Sequence, residues 1–386
     1  MYLKKNKNII IKTGILFLII FAAFIIRNIF IDFKSIDYNV FLSVWYDFIK
    51  NKGGFNALKH NFSDYTPPYL YLLTFGTYLN INKLHYIKYL TFIFEIVAAL
   101  FVMLIVNKRY NNYKVACAAF GCTLFIPTVI CNGAIWAQCD IIFTSFILGS
   151  IYFIMCNKPI KSLIFYGIAL SFKLQAVFIL PLFGVLLFKN RVKFQHLFII
   201  PLTYIIFIIP NALLGRPLKE LLLVYMNQSR EYQALTMNAP NIYQWYNENL
   251  TLPHIEKLGV LLTLIVVLAI FYLSIKYIKV LTDEAIVELT LIFAIVVPFL
   301  LPHMHERYFF IADVFALVYA FYFPRYWCLG VIVPCVSFFS YYPYLLGGTP
   351  VPLRILALIM LLSGIIVVYN LSAGIYSDAV KTGKTN

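Results

Sequence analysis

Two aspartates, each followed by a tyrosine, stand in a polar stretch between long apolar runs: Asp37 in DYNVF and Asp64 in DYTPPY. A carboxylate beside an acceptor hydroxyl can take its proton, so either residue has the chemistry of a general base. Residues 32–68 hold Asp32, Asp37, Asp47 and Asp64, four of the 16 acids in the chain. Acids this close to a membrane are costly to desolvate, so they should face water, a partner or a substrate. Three more stretches carry usable side chains. GAIWAQCD, residues 133–140, offers Trp136 for stacking on a sugar face and Gln138 and Asp140 for hydroxyls. SFKLQAVFILP places Lys173 and Gln175 in apolar surroundings, and an intramembrane lysine marks a functional site by default. The turn His303-Met304-His305-Glu306-Arg307 joins two apolar runs, and its arginine fork and histidines suit a phosphate.

Each has a plainer explanation. Tyr38, Phe41, Trp45 and Phe48 recur at helical spacing, so Asp37 could serve as an N-cap and Asp64 could simply open the Thr66-Pro67-Pro68 turn. Trp136 suits an aromatic belt, and Arg307 could snorkel to the interface. Read as a metal site, His303-Met304-His305-Glu306 lacks the helical H-E-x-x-H spacing and a third ligand, so neither metal nor another cofactor is expected.

These residues need elements to hold them. The chain has 386 residues, is 62% hydrophobic and only 12% charged. With repeated apolar runs of about 18 residues or more, this is the pattern of an all-α polytopic membrane protein. It excludes a porin-type barrel, whose strands alternate over about 10 residues. The first run, 9–31, is too long for a signal peptide and is read as an uncleaved span. Further spans are drawn at 88–107, 115–131, 141–156, 162–172 with 174–188, 196–213, 257–276, 285–302, 308–323, 328–345 and 354–372. Counting 162–188 as a hairpin gives about 12 crossings. The apolar run 69–81 is too short for a full crossing and is read as a half-helix entered through Pro67-Pro68. Broken helices at membrane depth line a cavity or pack on protein, so 69–81 and a turn near Lys173 are cavity candidates.

The net charge of +15 sorts into loops, which points to topology and anionic lipid rather than nucleic acid. Lys4, Lys5, Lys7 and Lys12, the loops 108–114, 157–161, 189–193 and 276–279, and the ends near Arg325 and Lys381–Lys384 are assigned to the cytoplasm. The outside then holds 32–68, 132–140, the Tyr-, Asn- and Gln-rich loop 214–256, and the turn 302–307. No separate soluble domain is visible: residues 1–386 form one transmembrane domain. The seven cysteines have no ligand spacing and read as small apolar residues; only Cys131 and Cys139 flank a common loop. Arg27, Glu95, Glu288 and Asp313 fall in or near spans and are expected to pair structurally.

The ordered set SIDYNVFLSVWYDFI, SDYTPPYLYLL, GAIWAQCDIIF with SFKLQAVFILP, NAPNIYQW and LPHMHERYFF resembles the GT-C superfamily of polytopic glycosyltransferases. It is most similar to bacterial relatives of the mannosyltransferases of glycosylphosphatidylinositol assembly. The resemblance covers about residues 35–310 and says more about the superfamily than about the substrate. It implies an active site on the extracytoplasmic face of a bacterial cell membrane. It further implies inverting transfer of a hexose such as mannose from a polyprenyl-phosphate donor to a hydroxyl of a glycan, lipid or protein acceptor. Asp37 would be the base. Asp64 and Tyr65 would line the sugar or acceptor pocket, and Trp136, Gln138 and Asp140 would face the sugar. Lys173 would be a cavity lysine, and His305 and Arg307 would hold the donor phosphate, with His303 and Glu306 as further substrate-binding residues of the same turn. Two departures stand out: Ala137 occupies a position where the family often has Gly, and Cys139 replaces a more usual hydrophobic or small residue. The residues also leave two other readings open: a flippase for a lipid-linked saccharide, and an O-antigen-type polymerase or ligase.

Overall fold

The computed structural model describes residues 2–228, 234–246 and 253–383. Among them sixteen α-helices follow one another: α1 Tyr2–Ile29, α2 Ser43–Asn51, α3 Pro67–Thr77, α4 Lys83–Tyr110, α5 Tyr113–Leu124, α6 Pro127–Ile130, α7 Asp140–Met155, α8 Pro159–Phe172, α9 Leu180–Phe188, α10 Ile199–Leu213, α11 Leu218–Gln228, α12 Pro253–Tyr277, α13 Asp283–Leu300, α14 Phe310–Tyr322, α15 Leu329–Leu345 and α16 Leu353–Gly383. Two two-residue strands, β1 Thr236–Met237 and β2 Met304–His305, pair in parallel.

Among the described residues six helices are long and apolar enough to cross a bilayer, or seven with a pair bent by 49° between 113–124 and 127–135. The chain is therefore an all-α, multi-pass membrane protein. The drawn spans all coincide with helices, but length and composition alone do not support twelve crossings. The segments Asp140–Met155, Pro159–Phe172 and Leu174–Phe188 are apolar but short. At 1.5 Å per residue each reaches about 20–24 Å, less than the roughly 30 Å hydrocarbon core. These are the inner helices: α7 is buried almost throughout, and α8 and α10 pack against each other and against the elements around α7. The α5–α6 bend falls at Phe125-Ile126, just before Pro127, where the proline ring disfavours a helical predecessor.

The bundle has two distinguishable ends. Lys108 lies 3.0 Å from Asp283 and Arg109 pairs with Glu284, so the basic loop after α4 sits at the start of α13. Lys189 donates to the Ile275 carbonyl, and Arg191 donates to the carbonyls of Leu281 and Ile154. The basic loops 108–114, 189–193 and 276–282 thus share one end. α13 runs from there to Leu300 and delivers the 301–309 turn to the other end. Lys173 is the tip of a hairpin whose arms, α8 and the 174–188 segment, both return to the basic end; its backbone is extended, with φ −154° and ψ 137°.

α3 is the half-helix expected after Pro67-Pro68, eleven residues long and largely buried. Arg27 pairs with Glu95 at 2.7 Å inside the bundle and also donates to the Leu124 carbonyl. Glu288 accepts from Asn370, and Asp313 accepts from Ser337. These ionisable groups have structural partners, as expected. All seven cysteines are free, Cys131 and Cys139 included. Of the large loop 214–256, residues 229–233 and 247–252 lie outside the described residues, as does Lys384.

Candidate active site

The first helix after the 32–35 turn is capped by Ser35, not by Asp37. Ser35 Oγ accepts from the Tyr38 amide at 3.1 Å and donates to the Trp136 carbonyl at 2.7 Å. Asp37 makes no cap bond, so its carboxylate is available to other groups. A π-type turn at Tyr38–Leu42 follows, an irregularity frequent at functional sites. Four donors surround the Asp37 carboxylate. Trp136 Nε1 donates to Oδ2 at 3.0 Å, Gln138 Nε2 donates to Oδ2 at 2.5 Å, and Tyr344 donates to Oδ1. Arg307 Nη2 lies 3.4 Å from Oδ2.

The 131–140 segment is built to deliver two of those donors. A second π-type turn, Cys131–Ile135, leads into Trp136. Ala137 then takes a left-handed backbone, φ +63°, and the Gln138 amide closes onto the Asn132 carbonyl at 2.8 Å. Gly133 is needed for close approach: a Cβ there would meet Glu95 Oε1 at 2.3 Å. Trp136 is fully buried and stacks on Tyr344 with ring centroids 5.3 Å apart and planes 20° apart. The Arg307 guanidinium covers its face at 5.1 Å. Trp136 therefore has no face left for a sugar; it is a rigid wall that orients Asp37 and Arg307.

Asp140 opens α7 and is also spoken for. Lys173 pairs with Oδ1, and Asn132 donates to Oδ2 at 2.7 Å. The expectation that Asp140 binds hydroxyls is corrected, because both of its oxygens are held inside the protein. Lys173 keeps one side toward the cavity and lies 5.7 Å from the centroid of the Tyr65 ring. Tyr65 donates to Gln138 Oε1 at 3.1 Å and packs on Trp45 at 5.1 Å. Gln138 is thus fixed at both ends of its amide, between Tyr65 and Asp37.

The 301–309 turn is held by backbone pairing. His305 lies in β2, against Met237 of β1, and the His303 amide donates to the Leu235 carbonyl at 2.9 Å. His303 has φ +61°; its Nδ1 donates to the Ala234 carbonyl at 2.8 Å, and Nε2 lies 3.5 Å from Glu256. Its ring fastens the turn to the neighbouring loop, and His303, expected to bind substrate, does not line the cavity. Burial, with Arg307 and Lys173 nearby, pushes the His305 imidazole down to about 3. It is neutral at physiological pH and acts as a hydrogen-bonding group rather than a cation. Burial pushes the Glu306 carboxyl up to about 7. For Arg307, burial works against the charge, but Asp140 and Asp37 outweigh it and hold the guanidinium firmly protonated. Arg307 Nε is buried without a hydrogen-bond partner among the described residues.

A cavity of about 790 Å³ opens at this end of the bundle, away from the basic loops. No family model matches this chain, and no curated protein matches it. What the site can do therefore rests on its own geometry. Asp37, Asp64, Tyr65, Gln138, Lys173, His305, Glu306 and Arg307 all line the cavity. Trp136, Asp140 and His303 stand behind that lining. Two wall residues, Tyr344 and Met237, were not singled out in the sequence, and Phe41 and Trp45 entered there only as a helical pattern. Tyr344 left one trace there, a cluster of tyrosines around Pro343 at the end of an apolar run.

Chemically, the cavity combines a carboxylate, a fixed amide, two cations already matched to acids, and a neutral imidazole. Its aromatic rim of Phe41, Trp45, Tyr65 and Tyr308 is suited to an apolar or sugar surface. A proton acceptor and phosphate-type donors therefore face one volume.

Proposed function

We propose that the chain is a GT-C-like membrane glycosyltransferase of about twelve crossings, transferring a hexose from a polyprenyl-phosphate donor to an acceptor hydroxyl. The observation that carries this reading is the meeting of Asp37 and Arg307 at 3.4 Å on the wall of a cavity of about 790 Å³. A proton acceptor and a phosphate ligand are the two groups inverting transfer needs, and they come from distant parts of the chain. The gathering of basic loops at the other end supports an extracytoplasmic site.

In this mechanism Asp37 accepts the proton of the attacking hydroxyl. The hydroxyl oxygen bonds to the anomeric carbon from the face opposite the phosphate, with inversion. The bond between that carbon and the phosphate oxygen breaks, and its electron pair leaves with the polyprenyl phosphate. Of the contacts to Asp37, the one to Arg307 is the longest, so Arg307 is the donor that turns toward the phosphate. Its unpartnered Nε supplies a second donor of the fork. Neutral His305 adds a hydrogen bond without adding charge.

The test is an assay of purified, reconstituted protein with polyprenyl-phosphate mannose, glucose or galactose as donor and methyl glycosides as hydroxyl acceptors, with wild type and Asp37→Asn compared. We expect release of polyprenyl phosphate with a hexose donor, and a loss of about 10²–10⁴-fold in Asp37→Asn with insertion and folding intact. Equal turnover by the variant would remove the mechanism. Transport without turnover would replace it with a flippase.

A further inference from the structure

A second hollow of about 420 Å³ adjoins the candidate active site. Asp64 and Gln228 line both spaces, and Gln228 Nε2 donates to the Asp64 carbonyl, which makes that pair the partition between them. The hollow is lined by Asn61 and Ser63 of the loop before α3, by Arg216 two residues before α11, and by Glu220 and Asn227 of α11.

Arg216 is its anchor. The guanidinium side chain is only 2% exposed. Nη2 donates to Asn61 Oδ1 at 2.6 Å, and Nε lies 3.7 Å from Glu220, beyond hydrogen-bond reach. Nε and Nη1 are both buried with no hydrogen-bond partner among the described residues, and so is Ser63 Oγ. Buried donors of a charged group are expensive to leave unpaired, so this arrangement calls for a ligand bearing acceptors.

The class of ligand follows from the charge balance. One guanidinium faces two carboxylates, Asp64 and Glu220, so an anion would be repelled. A simple cation would meet Arg216. Hydroxyl groups suit both, accepting from arginine and donating to carboxylates and amide oxygens. The volume lies within the range of small-ligand pockets.

We propose that this hollow is a saccharide subsite, which receives the acceptor and presents a hydroxyl past Asp64 toward Asp37. This inference rests on the glycosyltransferase reading for its role, but not for its binding chemistry.

The test measures binding of methyl α-mannoside, α-glucoside, α-galactoside and N-acetyl-α-glucosaminide by saturation-transfer NMR on the full chain in nanodiscs. The proteins compared are wild type, Arg216→Gln, and Asn227→Trp, which fills the hollow from an exposed position without touching the buried arginine. At least one glycoside should bind wild type. Both Arg216→Gln and Asn227→Trp should weaken it about tenfold or more. Equal binding in wild type and Asn227→Trp, no binding of any glycoside, or displacement of the glycoside by inorganic phosphate would each overturn the proposal. Donor turnover by wild type is scored separately. A protein that turns over no lipid-phosphate sugar, yet binds glycoside through this hollow, would end the enzymatic reading and leave the subsite standing.

Discussion

The Arg307 guanidinium lies 3.4 Å from the Asp37 carboxylate and 5.1 Å from the centroid of the Trp136 ring, so one side chain is held between a charge and an aromatic face. Both partners select arginine. A planar guanidinium can stack on indole while its edge keeps donors for an acid and a phosphate; an ammonium cannot do all three.

Arg307→Lys should therefore keep the charge opposite Asp37 and still lose transfer by about tenfold or more. Arg307→Met should lose about 10²–10³-fold, the cost of deleting a donor aimed at developing negative charge. Steady-state release of polyprenyl phosphate measures both. Lysine at wild-type rate would show that charge alone suffices.

His305 and Glu306 are adjacent and oppositely tuned. For Glu306, pushed up to about 7 in the fold, the protonated form is favoured. Its stability contribution is complete below the usual value of 4.5 and is lost as pH rises from there to about 7. For His305, pushed down to about 3, the neutral form is favoured. Its contribution is complete above 6.5 and is lost as pH falls toward 3. Between about 4.5 and 6.5 the two slopes oppose each other, so removing either group should tilt the pH dependence of stability relative to wild type. Glu306→Gln should expose the histidine slope, with stability falling as pH drops. His305→Gln should expose the carboxyl slope, with stability falling as pH rises. Melting of the detergent-solubilised protein across pH 4.5–7 reads out both signs, and identical slopes in the two variants would contradict the assignment.

Ala137 sits at φ +63°, in the backbone region where a Cβ is crowded by the carbonyl. The cost of left-handed backbone at a non-glycine residue is about 1–2 kcal/mol, partly offset by the greater chain entropy that glycine loses on folding. Ala137→Gly should raise stability by about 0.5 kcal/mol, with transfer retained, measured by thermal melting and by the same assay. A destabilised variant would mean that the Ala137 methyl packing outweighs the backbone cost.

That position also shows what a single sequence can and cannot disclose. Ala137 could be noticed in the sequence only as a departure from a superfamily the chain resembles, but its physical meaning, a left-handed turn aiming Gln138 at Asp37, needed the backbone. The polar set Asp37, Asp64, Gln138, Lys173, His305 and Arg307 was legible because charged and amide side chains are conspicuous among apolar runs. The half-helix at 67–77 and the hairpin at Lys173 were legible because prolines and a lysine interrupt hydrophobicity at fixed lengths. Which of those groups would be neutralised inside the protein was not legible. Asp140, Trp136 and His303 have the right chemistry for substrate, but each is claimed by a neighbour from elsewhere in the chain. Tyr344 and Arg216 are the converse: ordinary residues locally, made important by what the fold sets beside them. The number of crossings stayed obscure because α7, α8 and the 174–188 segment are apolar enough for lipid yet short and enclosed by other helices.

The Lys173–Asp140 pair offers the sharpest separation of structural from functional roles. Both side chains are nearly fully buried, and Asn132 supplies the second partner of the carboxylate. Removing one charge of such a pair leaves the other unmatched in the interior, at a cost of about 3–5 kcal/mol, whereas removing both can be nearly neutral. Asp140→Asn should therefore lower stability by about 3 kcal/mol, and adding Lys173→Met should restore most of it. Activity should not follow stability. Lys173 also lines the cavity beside Tyr65, so the double variant should fold well and still transfer at a small fraction of the wild-type rate. Thermal melting and donor turnover, measured on wild type, Asp140→Asn and the double variant, decide the matter. If turnover recovers along with stability, Lys173 serves only to neutralise Asp140 and has no part in handling the substrate.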